Sequence, residues 1–521
     1  MSGKGRGRGK GKGQNPGRRN APVGEEGGSL QIKRAEERAR LCSACWVSLP
    51  NDRVCLRFVA RQRRYTFPMA KPPSPARGSA DAKRSAGAVK HDRVLPYGPT
   101  LRLTCHHLDN GLRILLLMDR SAPVISYHTW FRVGSRHERQ GKTGLAHLLE
   151  HLMFGAFEGL AAGEYDRLME EAGADTNAAT WLDWTYYYAN APSSQLDRVI
   201  DLESRRMGML QLHSEPFASE LEVVTNERRM RVEDDVAGSI SEKLYETAFQ
   251  THAYRRPTIG WLEDITGLTM EDCASFYRTY YAPNNATVVV AGRFDERKTL
   301  DKLAKAYGGL EPAELPVEDT QPEAPQTEPR AVDMRKPTST QKLAVAYHGP
   351  ALGDVDHAPL ALLMDVLFGG RASRAHQSMV QKAEIASDVR GWVGPFQEPG
   401  LIELQATART GRDAQEALDA LDREIDRVRS EPVMGHELDR AKARAELGLV
   451  RSMETSSGRA EQIAFYDAVL GNPVGALERV ERFRGTTRSD LLRVARRYLA
   501  ADRRTVIRVC PLGAASEGSE S

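Results

Sequence analysis

The stretch Gly144-Leu-Ala-His147-Leu-Leu-Glu150-His151-Leu-Met-Phe154-Gly155 places two histidines and one carboxylate inside an otherwise apolar segment. On a helix of 3.6 residues per turn, His147 and His151 lie one above the other, with Glu150 beside them. Two imidazoles at this spacing suit Zn²⁺, and a neighbouring carboxylate that is not a ligand can accept a proton from water. We therefore expect a zinc-binding helix, around which the rest of the fold is organised.

Two histidines leave a tetrahedral catalytic zinc one protein ligand short. The charged helix predicted at 219–232 offers Glu227, 76 positions beyond the second histidine. Glu220 lies two turns earlier on the same helix face and suits a supporting role. Periodicity alone does not choose among three glutamates of this region, which are Glu222, Glu227 and Glu233.

The whole chain has the composition of a globular protein, with 521 residues of which 40% are hydrophobic. Its net charge of +3 is small and partly confined to the first twenty residues, so the folded body is not expected to bind nucleic acid. Six irregularly spaced cysteines argue against a disulfide framework. Because neither a secretory signal nor a run of about 18 apolar residues occurs, we expect a cytoplasmic protein without a membrane span.

Five segments are predicted along the chain. Residues 1–95 are basic and Pro/Ser/Gly-rich and are expected to be a disordered extension, in which Cys42, Cys45 and Cys55 lack a fourth ligand for a zinc knuckle. We assign 96–307 to a zinc-binding half that opens with strands around the Asn110-Gly111 turn. The remaining segments are a Pro/Glu-rich linker, a second half without zinc, and a disordered tail, at 308–336, 337–513 and 514–521.

The motif His147-Leu-Leu-Glu150-His151 and the helix with Glu220 and Glu227 resemble the pitrilysin and insulinase zinc metallopeptidases, whose zinc motif is the inverted His-x-x-Glu-His. The resemblance is to the short-chain branch that includes bacterial relatives of the mitochondrial processing peptidase beta subunit. It extends over about residues 97–512 and includes three further stretches, at 177–180, 248–260 and 276–290.

This resemblance implies one Zn²⁺ per chain on His147, His151 and Glu227. It assigns Glu150 as the general base and Glu220 as a supporting acid. It also implies an open strand at Asn177, Ala178 and Thr180 on which an extended peptide docks, a mode in which main-chain pairing supplies the affinity.

The second half repeats the first in sequence, since 214 positions separate Phe154-Gly155 from Phe368-Gly369. The duplication predicts two homologous halves, and the resemblance implies that the fold is α+β, that each half is a mixed, mostly antiparallel sheet with helices on one face, and that the halves together form half of a clamshell chamber. At the same offset the three motif residues become Ala361, Met364 and Asp365, so the second half is not expected to bind zinc.

The family's second half also supplies an Arg and a Tyr, seven positions apart, that help to hold the substrate. In this chain Val380 and Ser387 fall at those positions. Either a paralogous partner subunit supplies the pair, which we favour, or a homodimer uses another arginine; the candidates are Arg371, Arg374 and Arg390.

The expected function is a zinc endopeptidase that hydrolyses unfolded peptides or short polypeptides inside a dimeric chamber. Two alternatives are a non-catalytic, core-like assembly subunit and a peptide-binding module that retains a zinc site. The four intact residues of the zinc motif argue against the first alternative, and Glu150 argues against the second, because a closed structural site needs no base.

Overall fold

The computed structural model describes residues 88–318 and 321–512. The first half is built on a seven-stranded sheet in the order β1-β2-β3-β9-β4-β7-β6. Among the described strands of this sheet, the pair formed by β3 and β9 is parallel and the other pairs are antiparallel. The sheet strands are β1 (Val89–Tyr97), β2 (Leu101–Leu108), β3 (Arg113–Met118), β4 (Val124–Phe131), β6 (Asp175–Thr180), β7 (Thr185–Pro192) and β9 (Ala286–Gly292); β5 (Ala156–Phe157) pairs separately with β8 (Leu210–Gln211).

Within residues 88–318, the first half has eight α-helices. They are α1 (Leu145–Leu152), α2 (Glu164–Glu171), α3 (Leu196–Gly208), α4 (Ser214–Arg228), α5 (Val236–Ala248), α6 (Leu262–Thr266), α7 (Met270–Tyr280) and α8 (Glu296–Tyr307). The central strand β9 is buried along its whole length and reads Ala-Thr-Val-Val-Val-Ala-Gly, the β-branched composition that favours a strand covered on both faces.

The second half has a five-stranded sheet in the order β10-β14-β11-β13-β12. Its strands are β10 (Arg330–Lys336), β11 (Lys342–His348), β12 (Ala386–Val393), β13 (Leu401–Ala408) and β14 (Arg504–Pro511). Its helices are α9 (His357–Phe368), α10 (Ala414–Ser430), α11 (Gly435–Ser452), α12 (Ser456–Leu470), α13 (Gly475–Gly485) and α14 (Arg488–Tyr498).

The two sheets share one plan. The strands β3-β9-β4-β7-β6 and β10-β14-β11-β13-β12 follow the same sequence of one parallel and three antiparallel pairs. Helix α1 follows β4 in the first half just as α9 follows β11 in the second. The predicted α+β fold of two homologous halves is thereby confirmed.

Each half packs one of its helices on the sheet of the other half. Helix α12 of the second half packs Ala460, Ile463 and Ala464 on the first sheet, opposite that sheet's own helices. Helix α5 of the first half packs Ile240 and Leu244 on the second sheet in the same manner. Each half's own helices cover one face of its sheet, and the other face is closed by the partner half, so the halves are held together by apolar burial.

Two predicted boundaries are corrected by the strands. Strand β1 begins at Val89, inside the segment assigned to the disordered extension, because pairing with β2 orders it. Strand β10 occupies the last seven residues of the predicted linker, because it adds in parallel to β14. The predictions for residues 1–87, including the three N-terminal cysteines, and for the tail at 514–521 lie outside the described residues. Within the described ranges no helix is long and apolar enough to span a membrane.

Candidate metal centre

The motif helix α1 starts at a buried carboxylate. Glu138 accepts hydrogen bonds from the backbone N–H groups of Gly144 (2.9 Å) and Ala146 (2.8 Å), two donors without partners in the first turn of the helix. Burial raises the pKa of Glu138 to about 8, against the effect of these hydrogen bonds. Helix α1 is packed in the hydrophobic core of the first half through four leucines, Leu145, Leu148, Leu149 and Leu152.

A contact between two glycines fixes the position of this helix start. Gly144 has φ +86° and Gly260 has φ +89°, both in the left-handed region. A Cβ on Gly260 would lie 2.5 Å from the Gly144 Cα, so the loop before α6 approaches α1 more closely than any side chain allows.

Three side chains converge beside α1. The Glu227 Oε2 atom lies 3.7 Å from His147 Nε2 and 3.5 Å from His151 Nε2. Among the described residues, these three form the one group of His, Cys, Asp or Glu that could hold a metal ion, with donor atoms within 4.8 Å of one another. Two imidazole nitrogens and a carboxylate oxygen at these separations match the His₂Glu donor set of catalytic zinc sites.

Glu220 orients one of these imidazoles. Its Oε2 atom lies 3.3 Å from His151 Nδ1, so Nδ1–H donates to Glu220 and Nε2 faces Glu227. Burial lowers the pKa of His151, but the hydrogen bonds to Glu220 and Glu227 outweigh this effect and raise it to about 10. A cation bound at Nε2 would replace one proton there.

The other two donors have the charges that a metal requires. Burial lowers the pKa of His147 to about 4, so this imidazole is neutral at pH 7. Burial alone would raise the pKa of Glu227, but His147, His151 and Arg231 bring it down to about 2. The His147 Nδ1 atom is buried and makes no hydrogen bond, as fits a ring held by packing for use of its other nitrogen.

The geometry separates Glu227 from the other two candidates on the same segment. Glu227 is 4% exposed and points at the histidines, whereas Glu222 is exposed and Glu233 lies 3.8 Å from Arg228. Arg231 contacts the second oxygen of Glu227 at 2.7 Å from a π-helical turn, Arg229–Glu233, that follows α4. Such turns recur at functional sites.

Glu150 is also buried, with 4% of its surface exposed. Tyr187 and Tyr281 lie near Glu150. Burial raises the pKa of both phenols, and the negative charge of Glu150 raises it further. The carboxylate is therefore enclosed by α1, β7 and the end of α7 and does not sit on the outer surface.

Two residues of the site were not anticipated from the sequence. Arg231 could be predicted from the sequence, because it stands four positions after Glu227 and so on the same helix face. Glu138 could not be predicted in this way, since its contacts to α1 depend on a loop conformation.

The predicted docking strand β6 is an edge strand of the first sheet, paired only with β7. Ala178 is buried, and its backbone N–H donates to the Asn177 Oδ1 atom at 2.9 Å. The Thr180 hydroxyl lies 3.2 Å from that of Thr185 on β7. The other backbone edge of β6 is the side on which a further strand can add.

Among the described residues, the corresponding helix of the second half carries no group of side chains that could hold a metal. On α9, Ala361 is half-buried, Met364 is buried, and Asp365 pairs with Arg444 at 3.0 Å. Of the two residues at the positions of the family's Arg and Tyr, Val380 is packed in the hydrophobic core of the second half and Ser387 is exposed.

The three arginines considered as replacements differ in their surroundings. Arg374 forms a two-pronged ion pair with Glu437 at 2.8 and 2.6 Å, and Arg390 pairs with Asp388 at 2.8 Å. Arg371 is exposed in the turn after α9.

A duplicated α+β fold with one His₂Glu cluster defines a class of zinc metalloproteins, and comparison with known proteins identifies the family. The model of the insulinase domain (peptidase family M16) matches residues 113–261, and that of the M16 inactive domain matches residues 267–445. Together they cover more than half of the chain, which belongs to the insulinase, or M16, peptidase family. Most of the range matched by the inactive-domain model lies in the second half, which has no metal-donor group among the described residues.

Relatives of known name agree with this assignment. Zinc protease PqqE of Helicobacter pylori is 29% identical over 416 residues, 78% of this chain and 92% of that protein. A probable mitochondrial-processing peptidase subunit beta of Arabidopsis thaliana is 24% identical over 79% of this chain and 78% of its own length.

Solved structures show the same fold. The crystal structure of a protease from Helicobacter pylori superposes with a TM-score of 0.75 at 28% identity, covering 78% of this chain and 99% of that one. A peptidase M16 inactive domain from Pseudomonas fluorescens has a TM-score of 0.72 at 17% identity, covering 80% of this chain and 100% of that one.

Proposed function

We propose that this chain is a zinc-dependent endopeptidase that hydrolyses unfolded peptides or short polypeptides, with Glu150 as general base. The observation that carries the proposal is the convergence of His147, His151 and Glu227 next to a buried carboxylate on the same helix. A purely structural zinc site has four protein ligands and no such carboxylate.

Each residue has a defined task in this proposal. Zinc on the three donors would polarise the scissile carbonyl and make a water molecule acidic. Glu150 accepts the proton of that water and returns it to the leaving amine. Glu220 keeps His151 in the tautomer that leaves Nε2 available, and Arg231 holds the second oxygen of Glu227 away from the donor group.

The peptide is proposed to add as a strand to the open edge of β6, close to α1. Strand addition uses main-chain hydrogen bonds, so it accepts many sequences and requires an unfolded segment. Asn177, Ala178 and Thr180 are the proposed contacts.

A second chain is proposed to complete the chamber, because Val380 and Ser387 supply neither the Arg nor the Tyr of related peptidases. We favour a paralogous subunit. A homodimer that uses Arg371 is the alternative, since the other two candidate arginines are held in ion pairs.

Metal removal tests the activity. The chain is stripped with a chelator, dialysed, and assayed on quenched fluorogenic peptides before and after addition of Zn²⁺ or Mg²⁺. We expect activity to be lost and then restored by one equivalent of zinc alone. Undiminished turnover by protein shown to be free of metal would contradict the proposal.

The same assay with and without the product of an adjacent related gene tests the partner. A large gain in turnover on mixing supports a heterodimer, and equal turnover with a dimeric mass supports the homodimer. A zinc-loaded chain that is inactive in both arrangements would favour the assembly-subunit or peptide-binding alternatives.

A further inference from the structure

A second site of unusual charge lies in the second half. A cavity of about 240 Å³ is bounded by the end of α12, the start of α13 and the loop after β11. Its lining includes Tyr466, Asn472, Glu478, Arg479 and Arg482. None of these residues belongs to the metal centre or to the proposed peptide edge.

In the part of the chain that the structure describes, neither arginine of this cavity pairs with an acidic residue. Among the described residues, no carboxylate oxygen comes within 4.0 Å of Arg479 or Arg482. The Arg482 Nη1 atom donates to the Gly353 carbonyl at 3.3 Å. Arg479 stacks over the Phe483 ring at 4.9 Å, and its Nη2 atom lies 3.0 Å from His357 Nδ1.

The groups that line the cavity offset at most one of these two charges. His357 Nε2 donates to the Gly394 carbonyl at 3.0 Å, so Nδ1 accepts from Arg479 and the imidazole is neutral. Burial, followed by the Arg479 charge, lowers its pKa to about 3. Glu478 is the one carboxylate in the lining; it is exposed, and it accepts a hydrogen bond from Asn472 at 2.8 Å.

We propose that this cavity binds a small phosphate-bearing anion through Arg479 and Arg482. Guanidinium groups match phosphate oxygens in charge and fork geometry. The volume is below the roughly 300–1,000 Å³ of most cofactor pockets, which fits inorganic phosphate or the phosphate group of a small metabolite. Burial and the adjacent Arg482 lower the pKa of Arg479, a cost that a bound anion offsets.

Binding here also stabilises the contact between the halves. Tyr466 lines the cavity, and the next residue, Asp467, is fully buried and accepts hydrogen bonds from Arg113 (2.5 Å) and Thr287 (2.9 Å) of the first half. An anion that orders the end of α12 therefore protects the full chain against unfolding.

Thermal unfolding of the full chain with increasing inorganic phosphate, at ionic strength held constant with NaCl, tests the proposal. We expect a saturable rise in Tm of roughly 1–3 °C at ten times the dissociation constant. Arg482→Gln is expected to raise the half-saturating concentration about tenfold, the effect of losing one charged hydrogen bond. Arg488→Gln removes the same charge from an exposed position outside the cavity and serves as the matched control.

AMP tests whether the anion is a phosphorylated metabolite, and acetate tests whether the site selects phosphate over another small anion. A stronger effect of AMP than of phosphate supports a phosphorylated metabolite, and equal effects support inorganic phosphate. The proposal is overturned if phosphate gives no shift beyond that of NaCl, if acetate matches phosphate, or if the two arginine variants respond alike.

Discussion

Replacing Glu220 by glutamine isolates the contribution of one partly buried hydrogen bond to zinc affinity. The Glu220 Oε2 atom accepts from His151 Nδ1 at 3.3 Å, and the side chain of Glu220 is 31% exposed. Glutamine keeps the shape but removes the charge that makes the imidazole a stronger donor to zinc. Carboxylates that support metal-bound histidines contribute about 10- to 100-fold in metal affinity.

The distance and the exposure place Glu220→Gln at the lower end of that range. A 3.3 Å contact is longer than a typical charged hydrogen bond, and partial exposure screens the charge. We therefore expect an affinity loss of about tenfold, equivalent to about 1.4 kcal/mol. Competition with a chromophoric zinc chelator measures it directly.

Glu222→Gln is the matched control, because Glu222 is exposed on the same helix and is not part of the donor group. Equal zinc affinities of the two variants would refute the assigned role of Glu220. So would a loss of affinity confined to Glu222→Gln.

Three further predictions concern stability. Gly260→Ala should cost about 2–3 kcal/mol, because its Cβ would meet the backbone of Gly144, whereas Gly435→Ala, in open space, should be neutral or stabilising; urea unfolding compares the two. Asp467→Asn should cost about 2 kcal/mol in the same assay, since it weakens a buried carboxylate shared by two arginines that are each about one third exposed, and an unchanged midpoint would contradict this. Burial raises the pKa of Glu403 to about 7, so the folded state retains a proton that the unfolded state releases above about 4.5, and stability is lost as pH rises between those values. Glu403→Gln should therefore gain up to about 3 kcal/mol over the native chain by pH 8 and little at pH 4, and a gap independent of pH would contradict that sign.

The features that followed from the sequence are local or chemical. The helix at His147 to His151 follows from apolar spacing. Zinc chemistry requires a third ligand, but the choice of Glu227 among three glutamates rests on the resemblance to the insulinase family. The duplication is visible because Phe154-Gly155 of the motif segment recurs 214 positions later as Phe368-Gly369.

The features that escaped the sequence depend on contacts between distant residues. Glu138 at the start of α1 and the approach of Gly260 to Gly144 have no local signature. The reciprocal packing of α5 and α12 is equally hidden, because both helices have ordinary apolar faces and nothing in the pattern states which sheet they cover. Strand β10 lies at the end of the segment whose Pro/Glu-rich composition predicts a linker, and its order comes from pairing with β14.

We propose that Glu150 acts as a base beside a zinc ion that it does not bind. Glu150→Gln, compared with the native chain and with the exposed control Glu158→Gln, should retain one zinc per chain by elemental analysis. Its turnover of a fluorogenic peptide should fall by about 10³-fold, within the range lost with a general base. Turnover by Glu150→Gln within tenfold of the native rate, with zinc present, would contradict the account.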